Sequence, residues 1–96
     1  MNEKQLYQQR GQAQIDEWKA ELLKFKAKAS AASAGAQLQL LAQIKLLEGK
    51  VEEGKAKLAE AAEASDAAWE SIKVGGESAW ASLRTAFRDA ASKFRE

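Results

Sequence analysis

The chain has 96 residues, which predicts a single small domain that buries limited apolar area unless its helices are long or self-associate. Fifteen Lys and Arg stand against fourteen Asp and Glu, mixed along the chain, so the one-sided basic face that nucleic acid requires is missing. Cysteine and histidine are absent, which removes disulfides, thiolate ligands, the commonest metal ligand and the usual proton shuttle. No cofactor, metal or catalytic residue is therefore expected, and the chain reads as a non-enzyme.

Proline is also absent, and Ala, Leu, Lys, Glu and Gln dominate, a composition with high helix propensity in nearly every window. It predicts an all-α fold of long amphipathic helices, arranged as a helical hairpin or a coiled-coil bundle and oligomeric, over residues 1–96. The opening "MNEKQLYQQRGQAQ" is polar and unlike a secretory signal, and no window approaches about 20 consecutive apolar residues. A cytoplasmic location is expected.

From Leu6 the larger apolar residues fall at Ile15, Trp18, Leu22 and Phe25, one stripe of a first helix over about 3–32. Lys19, Lys24, Lys26 and Lys28 lie off that stripe among Asp16, Glu17 and Glu21, as a solvated face does. The segment "AKASAASAGAQ", Ala27 to Gln37, has two readings: a thin continuation of the helix, or a break in which Ser33 caps and Gly35 supplies a left-handed turn. The break is preferred.

A second helix over about 37–64 carries Leu40, Ile44, Leu47, Val51 and Leu58, and Leu38, Leu41 and Leu46 widen its stripe, as if it touched more than one neighbour. Gly49 and Gly54 each cost a helix interior about 1 kcal/mol relative to Ala, which calls for close approach of another helix. "ASDAAW" offers Ser65 or Asp66 as a cap for a third helix over about 66–95, and Gly75–Gly76 offers a further break.

In that last third, Trp69 and Trp80 stand eleven residues apart, and Ile72, Leu83 and Phe94 repeat at the same interval. Eleven residues over three turns is about 3.67 per turn, so such a stripe runs nearly straight along a helix or drifts slightly right-handed. The rhythm can be traced back in two tracks, Leu47, Leu58, Trp69 and Trp80 in one and Tyr7, Trp18, Ala29, Leu40 and Val51 in the other, and it is degenerate outside the last third. Trp69, Ile72, Gly76, Trp80, Leu83, Phe87, Ala90 and Phe94 share one narrow face, flanked on one side by Asp66, Lys73, Glu77, Arg84 and Arg88 and on the other by Ala68, Gly75, Ala79 and Ala86. Aromatic residues on such an edge must be covered. The small-residue shoulder points to a partner helix. The Ser and Thr side opposite, at Ser71, Ser78, Ser82, Thr85 and Ser92, points to a loosely packed lipid surface. Elsewhere "EGKVEEGK", Glu48 to Lys55, lacks the spacing and the following Ser or Thr of a phosphate loop.

The stretches "QIDEWKAEL" and "ASDAAWESIKVGGESAWASLRTAFRDAASKF" resemble a group of short bacterial coiled-coil proteins of unassigned activity, over residues 14–23 and 64–94. That resemblance implies a cytoplasmic helical protein and carries no catalytic residues. A looser similarity links the eleven-residue rhythm to apolipoprotein-like and phasin-like helices that coat lipid or polymer surfaces.

The expected function is that of a structural or scaffold protein whose partners are itself or other helical proteins. Trp18, Leu22, Phe25, Leu40, Ile44, Leu47, Trp69, Ile72, Trp80, Leu83, Phe87 and Phe94 are the expected packing residues. The alternative is a peripheral binder of a membrane or hydrophobic inclusion that inserts the segment from Trp69 to Phe94.

Overall fold

Asn2 starts the first helix by a reciprocal cap. Its side-chain oxygen accepts from the Gln5 backbone N–H at 2.8 Å, and the Gln5 side-chain oxygen accepts from the Asn2 N–H at 3.2 Å, so two otherwise orphaned donors are satisfied. The computed structural model describes residues 2–95, the side chain of Arg95 apart, and over them three helices follow in order: α1 (Glu3–Ala31), α2 (Ala34–Glu63) and α3 (Asp66–Arg95). Among the described residues there is no strand.

Each reversal uses two residues. Ala32 (φ −78°, ψ 160°) and Ser33 (φ −61°, ψ 157°) are extended, as is Ala64 (φ −69°, ψ 141°) before Ser65. These are ordinary polyproline-like conformations that any residue adopts, and no described residue has a positive φ. The left-handed cap expected at Gly35 is therefore corrected: α2 begins at Ala34, not near 37, and Gly35 lies in its first turn. The reading of "AKASAASAGAQ" as uninterrupted helix is overturned too. At the second reversal the Ser65 hydroxyl caps α3 by accepting from the Ala68 N–H at 3.2 Å, and Asp66 sits in the first turn, where its charge complements the helix dipole.

The break expected at Gly75–Gly76 does not exist, since α3 is continuous through both. Gly76 is there for space. A Cβ at that position would fall inside the Tyr7 hydroxyl of α1.

The molecule measures 51 × 20 × 18 Å, close to the ~45 Å length of one thirty-residue helix, so the helices lie side by side. With two short reversals, α2 runs antiparallel to both neighbours, and α1 and α3 run parallel. Each helix gives one large side chain that is fully enclosed: Ile15, Leu47 and Leu83. Gly54 lets α2 press between the other two, because a Cβ there would lie 2.9 Å from Leu83 and 3.3 Å from both Ile15 and Trp80. Gly11 makes the same room for Leu58.

Two expectations for α2 are corrected. Gly49 faces open space, so its cost is not explained by a neighbour within the chain. Leu38, Leu41 and Leu46 do not widen the buried stripe but are 73, 47 and 54% exposed, because α2 meets both neighbours through the single face of Ile44, Leu47, Val51, Gly54, Leu58 and Ala61.

Candidate functional site: an aromatic ladder between parallel helices

The flanks of α3 decide which helix covers its aromatic edge. On the small-residue side α2 comes close, with Lys50 donating to Ser82 at 3.4 Å, Lys93 donating to Gln43 at 3.3 Å, and Ala86 half-buried against the core. On the charged side α1 stands further off, and large rings fill the gap.

Those rings form a ladder in constant register. Tyr7 meets Trp69 edge to face with centroids 5.2 Å apart, Trp18 meets Trp80 at 5.3 Å, and Phe25 meets Phe87 at 6.2 Å. Diagonal contacts tie the rungs together, Trp18 stacking on Phe87 at 5.5 Å and Phe25 on Phe94 at 4.4 Å. The separations, 4.4 to 6.2 Å, lie at or close to the range that favourable aromatic pairs adopt. Tyr7 and Trp18 are eleven residues apart, as are Trp69 and Trp80. The repeat is thus the register of two parallel helices of the same chain. An interval of about 3.67 residues per turn, close to the helix's own 3.6, keeps both stripes nearly straight along their helices.

Polar contacts fix the same register. The Trp80 indole N–H donates to the Tyr7 hydroxyl at 3.1 Å. Lys73 pairs with Glu3 at 2.6 Å and Glu70 at 3.4 Å, and lies 5.9 Å above the Trp69 ring. The hydrogen bond that Lys73 donates to Glu3 is the largest influence on it and raises its pKa above the ordinary 10.5. Lys55 is likewise raised by its hydrogen bond to Glu52. Both shifts lead away from neutrality, opposite to what a lysine acting as base or nucleophile needs. At this end Lys4 also donates to the Ala64 carbonyl, and Gln8 donates to the Leu58 carbonyl at 3.0 Å.

All twelve expected packing residues lie inside this one bundle. Trp18, Leu22, Phe25, Ile44, Leu47, Trp69, Trp80, Leu83, Phe87 and Phe94 are buried, and Leu40 and Ile72 are half-buried. Within the single chain, α1 covers the aromatic edge of α3. Tyr7, Gly11 and Gly76 complete the ladder and its close contacts, yet they are not among the packing residues expected from the sequence. The matching intervals from Tyr7 to Trp18 and from Trp69 to Trp80 are the signal that pairs the two stripes.

Above the ladder an open groove of about 340 Å³ is lined by Tyr7, Arg10, Gln14, Trp69, Lys73 and Arg84 among others. This volume is near the lower limit for small-molecule sites, and of the three rings that line it Trp69 and Trp80 are buried while Tyr7 is half-buried. Among the described residues no three acidic side chains gather as a metal-binding group, and no helix is long and apolar enough to cross a membrane. Comparison of the chain with protein-family models, curated proteins and solved structures finds no match.

Proposed function

We propose that this chain is a non-catalytic structural or scaffold protein of the cytoplasm that works by packing its outer helix faces on other helices, its own copies included. One observation carries the reading. The aromatic ladder is used up in folding the monomer, while large leucines remain outside it on α2, 73, 47 and 54% exposed at Leu38, Leu41 and Leu46. A folded unit that needs no partner for its core, yet keeps leucines on one helix surface, is suited to helix-on-helix assembly. The lack of His and Cys supports a role without chemistry.

Sedimentation over about 10 to 500 μM tests this, a range that spans weak association. Growth of the mass beyond 10.5 kDa with concentration is expected. A mass that stays at the monomer value throughout contradicts self-assembly.

A further inference from the structure

The three arginines whose side chains are described all stand along one side of the bundle. Arg10 and Arg84 line the groove between α1 and α3, and two further openings along the same pair of helices share Gln14 with it and add Arg88. Of the lysines, only Lys24 and Lys73 join them there. Nothing within the chain accounts for this gathering: among the described residues none of the three guanidiniums forms an ion pair or stands over a ring, whereas Lys73 does both.

Arginine and lysine carry equal charge but recognise differently. The planar guanidinium offers a fork of donors that matches a carboxylate, phosphate or sulfonate in bidentate fashion, and it is more weakly hydrated than an ammonium. In the groove, Arg10 belongs to α1 and Arg84 to α3, so the two stand on opposite walls. The Lys73–Glu3 pair links those walls at 2.6 Å and offsets its own charges. Two guanidiniums then face the single carboxylate of Glu77, an excess of positive charge. Between the walls lie Leu6, 39% exposed, and half-buried Tyr7. The Tyr7 hydroxyl accepts from Trp80 and keeps its own proton to donate.

From this placement we propose that the groove binds a small amphipathic anion, its head group held in the forks of Arg10 and Arg84 and its apolar body laid along Leu6 and Tyr7. An opening of about 340 Å³ takes an aryl or short acyl body, whereas a helix is about 10 Å across. The site is complete in the monomer, so it is independent of the assembly proposed above.

Anilinonaphthalene sulfonate, an anion with an aryl body, is the probe, and N-phenylnaphthylamine, which lacks the sulfonate, is its neutral counterpart. At concentrations where the protein sediments as a monomer, the anion is expected to gain fluorescence on binding. Changing Arg10→Gln and Arg84→Gln together should weaken it about ten-fold or more, the scale of charge-assisted hydrogen bonds, and leave the neutral compound unchanged. Both positions are exposed and Gln is a good helix former, so circular dichroism and the thermal melt should stay as in the parent. Lys45→Gln with Lys57→Gln, the same loss of charge on α2, and Leu46→Ser, among the exposed leucines, should alter neither affinity. Leu6→Glu, which sets a carboxylate in the groove from an exposed position, should reproduce the loss of the anion and tests the site even if the arginine pair folds poorly. No binding at millimolar probe, an affinity unmoved by the groove variants, an equal loss from the lysine pair, or a loss on Leu46→Ser overturns the site. None of these outcomes bears on the scaffold reading, which sedimentation of the parent decides.

Discussion

The aromatic edge of α3 and the outward leucines of α2 have opposite fates. The edge, with two Trp and two Phe on one narrow face, has in sequence the character of an adhesive surface, and it is buried, its four rings only 6 to 8% exposed. The leucines have the character of a widened buried stripe, and they are exposed. Periodicity reports which residues share a face. What meets that face depends on how closely a neighbour can approach, and here small residues decide. Gly54 and the alanine shoulder of α3 bring α2 close, while the bulk of Tyr7, Trp18 and Phe25 sets the distance of α1. With α2 held against both neighbours by one face, the opposite face carrying Leu38 and Leu46 has nothing within the chain to meet.

The largest test of this contrast is Trp80→Ser, which removes a rung, leaves a cavity and deprives Tyr7 of a donor. A loss of about 3 kcal/mol or more is expected in denaturant melts. Leu38→Ser, a polar change on the other face, should leave the monomer's stability within about 0.5 kcal/mol. Equal losses at the two sites would erase the distinction between them.

Two glycines of α2 sharpen the comparison. Gly54→Val places a branched side chain among Leu83, Ile15 and Trp80, and should destabilise by roughly 1–3 kcal/mol through overpacking. Gly49→Ala faces open space, so the gain in helix propensity should stabilise the monomer by up to about 1 kcal/mol. Thermal melts at low concentration separate the two, and a change of the same sign at both would show that α2 is not seated as described.

A smaller effect concerns the charged flank. The folded-state pKa of Lys73 is raised, mainly by its hydrogen bond to Glu3, so the stability it contributes is fully present below the ordinary lysine value of 10.5 and is lost as pH rises through the folded value. Lys73→Met should therefore flatten the decline in stability above pH 10.5 and leave the profile between pH 6 and 9 almost unchanged. The lysine sits at the solvent edge of the ladder, so salt should weaken the contribution further.

Much of this architecture is legible in the sequence. The all-helical class, the reversal at "ASDAAW" and the buried stripe of α1 follow from composition, a cap residue and spacing. The first reversal is placed only approximately, because a turn built from extended Ala32 and Ser33 leaves no glycine or proline signature. Gly76 misleads for a related reason: glycine marks both a break and a close approach, and nothing in its own segment reveals that Tyr7 lies against it. The ladder itself is half-visible. The eleven-residue interval occurs in both α1 and α3, but only the count of reversals makes those helices parallel and sets the two intervals side by side.

The central claim is that the chain covers its own aromatic edge, and tryptophan emission reads this directly. All three Trp are at most 8% exposed. Their emission should be blue-shifted in buffer, remain so on dilution to concentrations at which the protein sediments as a monomer, and be unchanged by neutral or anionic vesicles of any curvature. Red-shifted emission from the dilute monomer, moving to the blue on self-association or on addition of small vesicles, would mean that a partner or a lipid surface, and not α1, covers Trp69 and Trp80.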